Sequence, residues 1–293
     1  MRRLVLALTA ITLLSAGAFA QGQSAPTLRV VTEDPTLPSE LFYGNVKVKP
    51  LRLRPGTNTR ITIHDSDFFV QQQYIDFLSR FPEPGGFNDW MNVLNSCNGD
   101  ASCLDGVEGK RVLVSQSFYQ SEEFNIKGFY AYRFYKASLG RQPLYAELIP
   151  DMRSLTGQTA EETAAKRDAF MNAWVQRSEF VAAYPASLTP TQYVDKLLQT
   201  AGITVSNRGQ LIADLTSGAK TRAQVLRAIV ESPEEQAKEY NPAFVTMQYF
   251  GYLRRDPEEE GYNNWLTHLN AHPGDFKTMV YGFVYSTEYM NRF

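Results

Sequence analysis

The spacing of apolar residues changes period once along the chain. Residues 45–63, NVKVKPLRLRPGTNTRITI, alternate apolar and polar. This alternation predicts a short β-hairpin in which Leu51 and Leu53 face Ile61 and Ile63 across PGTN. A lone hairpin is marginal in water, so it must lean on a larger body. From Phe69 the period lengthens. Phe69, Val70, Tyr74, Phe77 and Leu78 fall on one face of an α-helix, opened by the polar run His64–Asp67 and broken by FPEPGG. A second helix carries Trp90 and Leu94, and a third runs from about Arg111 to Tyr119.

That pattern returns near the end. Phe68–Asp100 reappears as Ala243–Asp275 without a gap. Phe69, Tyr74, Leu78, Arg80, Pro82, Gly86, Trp90 and Leu94 match Phe244, Tyr249, Leu253, Arg255, Pro257, Gly261, Trp265 and Leu269, each pair 175 positions apart. Leu-x-Arg-x-Pro also occurs at 139–143, and a degenerate copy that lacks the Arg and Pro opens at Tyr193-Val194. A second signal recurs as SEEF ending at Phe124, RSEF at Phe180, SPEE at Glu235 and STEY at Tyr289, preceded by the apolar anchors Phe118, Trp174, Ile229 and Phe283. Repetition of this kind predicts stacked helical units. The predicted fold is all-α: a multi-helix array of about four repeats (67–125, 126–182, 189–237 and 242–293) behind a leader, 21–66, that is β-rich in its second half.

A structural account of the motif comes first. Arg at a helix end donates to free carbonyls and suits the negative end of the helix dipole, Pro stops the helix, Gly86 and Gly261 let the chain turn, and Trp90 and Trp265 fill the corner. The functional alternative is a ligand site formed by Arg80, Arg255, Trp90 and Trp265, the arginines taking an anion such as a sugar acid. The string Tyr74-x-x-x-Leu78-Ser79-Arg80-x-Pro82-Glu83-x-x-Gly86-x-x-x-Trp90, with its copy at Tyr249–Trp265, resembles the signature of the family known as domain of unknown function 4214. The resemblance spans roughly 68–293. It implies helical repeat modules of exported bacterial proteins, similar to the linker domains of phycobilisomes, and it implies no catalytic residues.

The first residues add a compartment. Arg2 and Arg3, the apolar run Leu4–Leu14 and Ala18-Phe19-Ala20 have the form of a signal peptide over 1–20, cleaved before Gln21. The run falls short of the ~20 residues of a membrane span, and the mature chain offers no other. The expected location is secreted or periplasmic. Cys97 and Cys103 share a Gly/Asn/Asp loop, which in an oxidising compartment reads as a disulfide. Their spacing is not C-x-x-C and no second pair completes four zinc ligands. Cys103 belongs to a ten-residue insertion between Asp100 and Ser121 that the fourth repeat lacks. A net charge of −2 attracts neither nucleic acid nor an anionic membrane.

Enzyme signatures are weak. His268 and His272 lie at i, i+4, but no Glu stands between them as in HExxH, and the matching residues of the first repeat are Val93 and Cys97. GVEGKR (106–111) lacks the full phosphate-loop pattern. The acidic pairs Glu122-Glu123, Glu161-Glu162 and Glu234-Glu235 are the remaining acid–base candidates, with solvated helix starts as the plainer reading. The expectation is therefore a non-catalytic repeat protein without cofactor or metal, binding a protein or glycan at the cell envelope or outside the cell. The alternative is a secreted carboxylate-pair hydrolase or lyase acting on polysaccharide.

Overall fold

A computed structural model describes residues 28–31, 40–48, 52–157 and 159–293. The expected signal peptide and its cleavage point lie outside the described residues, as does much of the leader. Three short strands, β1 (Leu28–Val31), β2 (Glu40–Tyr43) and β3 (Val46–Val48), pair antiparallel in the order β1-β2-β3. Among the described residues after 65 every regular element is a helix, and the fold class is all-α.

The described helices run in chain order as follows. The first set is α1 (Ser66–Gln73), α2 (Pro84–Asn95), α3 (Ala101–Leu104), α4 (Lys110–Gln120) and α5 (Glu122–Phe124). The second is α6 (Tyr130–Leu139), α7 (Tyr145–Ser154), α8 (Ala160–Trp174) and α9 (Ser178–Ala183). The third is α10 (Pro190–Ala201), α11 (Arg208–Ser217) and α12 (Arg222–Val230). The last is α13 (Pro233–Gln248), α14 (Glu259–Ala271), α15 (Phe276–Val284) and α16 (Thr287–Met290). Ser121, Ser232 and Ser286 of the second recurring signal cap the helices that follow, each accepting from a backbone N–H three residues on.

Two copies of the motif share one backbone. In each, an α-helix widens into a π-helical turn, Tyr74–Leu78 or Tyr249–Leu253, and ends on a left-handed residue, Ser79 (φ 53°) or Arg254 (φ 54°). Gly140 (φ 68°) holds the same place between Leu139 and Arg141. The variable residue of Leu-x-Arg therefore terminates the helix before the Pro is reached. Gly86 and Gly261 do not lie in turns, as the sequence suggested. They sit inside α2 and α14, where a Cβ would collide with Tyr74 Oη and Glu83, or with Tyr249 Oη and Glu258.

The hairpin is one residue out of the expected register. Arg54 N donates to Thr59 O (2.9 Å), Ile61 N donates to Arg52 O (2.7 Å), and Leu53 pairs with Arg60 rather than Ile61. A one-residue slip exchanges the two faces. Leu53 is exposed, while Arg52 lies 5.1 Å from the Phe68 ring and Arg54 bonds Asp65 and Asp67, each at 2.8 Å. Arg52 and Arg54, not Leu53, hold this hairpin to the helical body, and Leu51 lies outside the described residues. Cys97 and Cys103 form a disulfide with Cα atoms 5.5 Å apart, tying α3 of the insertion to the end of α2.

The first and last sets pack directly on each other, unlike a linear stack in which only neighbours touch. α4 packs on α15, and the Phe77 and Tyr252 rings, which occupy equivalent positions, meet at 4.9 Å. Phe293 closes on Phe68 at 5.4 Å. Buried Gln73 spans this contact: its amide donates to Tyr289 Oη (3.2 Å) and accepts from Ser115 Oγ. The equivalent Gln248 is also fully buried, but both its amide atoms lack a partner among the described residues. The sequence explains this, since the residues matching Ser115 and Tyr289 are apolar Val280 and Phe124. An unsatisfied buried amide costs ~1–3 kcal/mol. Gln248→Leu is therefore expected to raise stability by about 1 kcal/mol in urea unfolding. A loss would show that water satisfies the amide.

Candidate functional site

The two recurring motifs are halves of one device. Arg80 reaches Glu123 through Nε (2.9 Å) and Nη2 (2.8 Å), and its Nη1 reaches Glu83 and Phe81 O (3.1 Å). Arg141 reaches Glu179 at 2.9 and 2.8 Å, Glu147 at 2.8 and 2.9 Å, and Gln142 O at 3.1 Å. Arg255 reaches Glu288 at 2.6 and 3.0 Å, Glu258 at 2.5 Å and Asp256 O at 3.1 Å. Each guanidinium also covers the tyrosine six residues earlier: Tyr74 at 4.9 Å, Tyr135 at 5.3 Å and Tyr249 at 5.3 Å. The left-handed residue turns the Arg back over that ring, and the short helix α5, α9 or α16 delivers the far glutamate.

These clasps correct the expected helix-end role. The arginines bond two carboxylates and the carbonyl that follows them, not the last carbonyls of the preceding helix. Hydrogen bonds donated to Glu123, Glu179 and Glu288 hold Arg80, Arg141 and Arg255 above their ordinary pKa. Arg141 in turn lowers Glu147 and Glu179. With most donors in charge-assisted bidentate pairs, Arg80 and Arg255 are poorly placed to take an anion. Trp90 and Trp265 are half-buried and pack inward, 5.8 Å from Phe118 and 6.0 Å from Phe283. The four proposed ligand residues thus fall in two separate copies of the motif, Arg80 with Trp90 and Arg255 with Trp265. The partner glutamates were visible only as an opposite charge recurring with the Arg.

The third set shows what happens without the motif. With no left-handed residue after Leu197, α10 continues to Gly202 (φ 62°). Arg222 covers Tyr193 instead, at 4.8 Å, and Lys238 donates to the free Ala201 carbonyl. Where the other copies bury Phe124, Phe180 and Tyr289, this one buries Glu235. Neither of its oxygens has a hydrogen-bond partner among the described residues. Burial, then the neighbouring Glu239, pushes its carboxyl up to about 7, and Lys238, Arg133 and Lys136 offset this only in part.

Beside the first clasp opens a cleft of about 890 Å³, within the range of small-molecule sites. Arg80, Phe81, Glu83, Glu123, Lys127 and Arg167 line it. Lys127 is 3% exposed and paired to Glu123. Burial lowers its pKa, and the bond to Glu123 restores only part of the loss. Burial raises Glu123 most, but hydrogen bonds from Arg80 and Lys127 outweigh it and hold the carboxyl below its ordinary range. Arg167 pairs with Glu231 and lies 4.2 Å from the Tyr130 ring. At the rim Phe81 is 48% exposed.

His268 bonds Asp275 (3.1 Å), and His272 Nδ1 lies 3.1 Å from His268 O. Among the described residues no group of three or more His, Cys, Asp or Glu is gathered to hold a metal. No described helix is long and apolar enough to cross a membrane.

Residues 237–293 match the model of the family described as Domain of unknown function (DUF4214), which supports the family read from Tyr249 to Trp265. No curated protein and no solved structure matches the chain.

Proposed function

We propose that this is an exported, non-catalytic protein of four helical repeats behind a β-rich leader, binding a protein or glycan at the cell envelope or outside the cell. The observation that carries the reading is the cleft beside Arg80. Its Glu123 is held ionised, so it is poorly suited to donate a proton as the acid of a carboxylate-pair hydrolase must. The acid that is pushed up, Glu235, is fully buried and lines none of the described clefts. Both facts favour binding over the hydrolase or lyase alternative.

The test is to incubate the purified mature chain with a glycan array and with envelope proteins, while following release of reducing ends from polysaccharide. Binding without release is expected, and steady release abolished by a cleft carboxylate variant would overturn the reading. The compartment has its own check. Protein recovered from the envelope or the medium is expected to begin at Gln21 in mass spectrometry, and an intact Met1 there would remove the basis for export.

A further inference from the structure

We propose that the cleft beside the first clasp takes a neutral sugar chain, with the exposed face of Phe81 as the platform for one ring; this rests on the binding reading above and narrows it to one ligand class. Three observations lead there.

The first is charge. Every cation at the cleft already holds a carboxylate: Arg80 has Glu123 and Glu83, Lys127 has Glu123, and Arg167 has Glu231. An anionic ligand would have to displace Glu123 from a bidentate pair, or leave a buried lysine to share its partner. Either exchange removes about as much as it supplies.

The second is hydrogen-bonding capacity. Carboxylates in such pairs keep acceptor positions, since each offers about four lone-pair sites. Lys127 has three donors and one partner among the described residues. With Glu122 also in the lining, three cations (Arg80, Lys127, Arg167) face three carboxylates (Glu83, Glu122, Glu123), so the wall presents acceptors and donors together without net charge. That suits a sugar hydroxyl, which both donates and accepts.

The third is the aromatic rim, and comparison of the three clasps makes it informative. Phe81 follows Arg80, where Gln142 follows Arg141 and Asp256 follows Arg255. All three residues give the same backbone carbonyl to their clasp. The clasp therefore does not need an aromatic here. Yet the copy that borders this cleft carries one, and exposes it by 48%. A phenyl face is electron-rich and suits the C–H face of a pyranose. Ala160 and Ala164 leave part of the lining short.

The experiment uses the full mature chain and two probe sets on one array: neutral oligosaccharides (cello-, malto- and N-acetylglucosamine series) and uronate oligosaccharides (galacturonate and alginate series). Two variants accompany it. F81A removes an exposed ring and is expected to keep the melting temperature. A164W fills the cleft from a surface position. The expected result is binding to a neutral series that F81A weakens about tenfold or more and A164W abolishes. Binding to uronates alone would overturn the sugar class while leaving the binding reading in place. Neutral-sugar binding that survives both variants would move the site elsewhere and overturn the assignment. Silence across both series would overturn it as well. Release of reducing ends from a bound series, by contrast, would sink the non-catalytic reading itself.

Discussion

Between pH 4.5 and 7 the folded chain is expected to lose stability as pH rises, and E235Q is expected to remove that loss. Glu235 is fully buried with neither oxygen bonded, and its folded carboxyl titrates at about 7 against an ordinary 4.5. Below 4.5 the group is protonated in both states and adds no pH dependence. Above 4.5 the unfolded chain releases this proton while the folded chain keeps it, so each pH unit shifts the balance toward unfolding. Once pH passes the folded value, both states are ionised and the loss stops growing. A shift of this size corresponds to a loss on the order of 3 kcal/mol. The groups facing Glu235 do not cancel it: Glu239 on the same helix adds to the shift, and Arg133, Lys136 and Lys238 only moderate it. Acids held low by clasps, Glu123, Glu147 and Glu179, act in the opposite sense, because their stabilisation disappears as pH falls below the ordinary carboxylate range. The two effects therefore occupy different windows. Urea midpoints of the parent and E235Q from pH 4.5 to 8 separate them. A gap between the two proteins that stays constant across that range would show that Glu235 titrates normally.

That acid marks where the sequence could and could not be read. The 175-residue spacing showed that Phe69–Trp90 and Phe244–Trp265 share a backbone, because local rules govern it: an apolar helical face, a left-handed stop and a proline. The serine-led signals read as helix ends, and the structure adds a start at the same place: α4 stops at Gln120 and Ser121 caps α5. The contacts between distant segments were not legible. Arg80 and Glu123 are 43 positions apart, and only their joint recurrence hinted that one holds the other. The hairpin illustrates a different failure. Alternation alone places leucine inward, but Phe68, Asp65 and Asp67 offer a guanidinium better partners, so the register slips and Arg52 and Arg54 turn in. In the sequence Glu235 reads as half of an acidic pair, an acid–base candidate or a solvated helix start. Its alignment with Phe124, Phe180 and Tyr289 carries the signal, since those three positions are aromatic and a carboxylate is not.

G251A is expected to destabilise the fold by about 3 kcal/mol, at the upper end for a single added methyl in a packed core. Alanine is the better helix former, by ~1 kcal/mol, so propensity alone predicts a gain. Packing decides the sign. A Cβ on Gly251 would run into the Phe77 ring. Phe77 cannot move away: it is 1% exposed and meets Tyr119 at 4.3 Å and Tyr252 at 4.9 Å. The backbone is pinned too. Arg292 donates to Gly251 O (3.1 Å) and Tyr252 O (2.6 Å), and pairs at 2.8 Å with Asp76, the residue equivalent to Gly251 in the first repeat. The absence of a side chain at 251 is thus what lets the first repeat seat Phe77 against the last. A double-mutant cycle isolates this contact. F77A alone should cost the ~3–5 kcal/mol of a large core truncation. In the F77A background the collision has no partner, so adding G251A should cost nothing or recover part of the loss through helix propensity. If the two changes prove additive in urea unfolding, or if G251A alone stabilises the protein, then Phe77 does not rest on residue 251, and the direct packing of the first repeat on the last must be rebuilt around another contact.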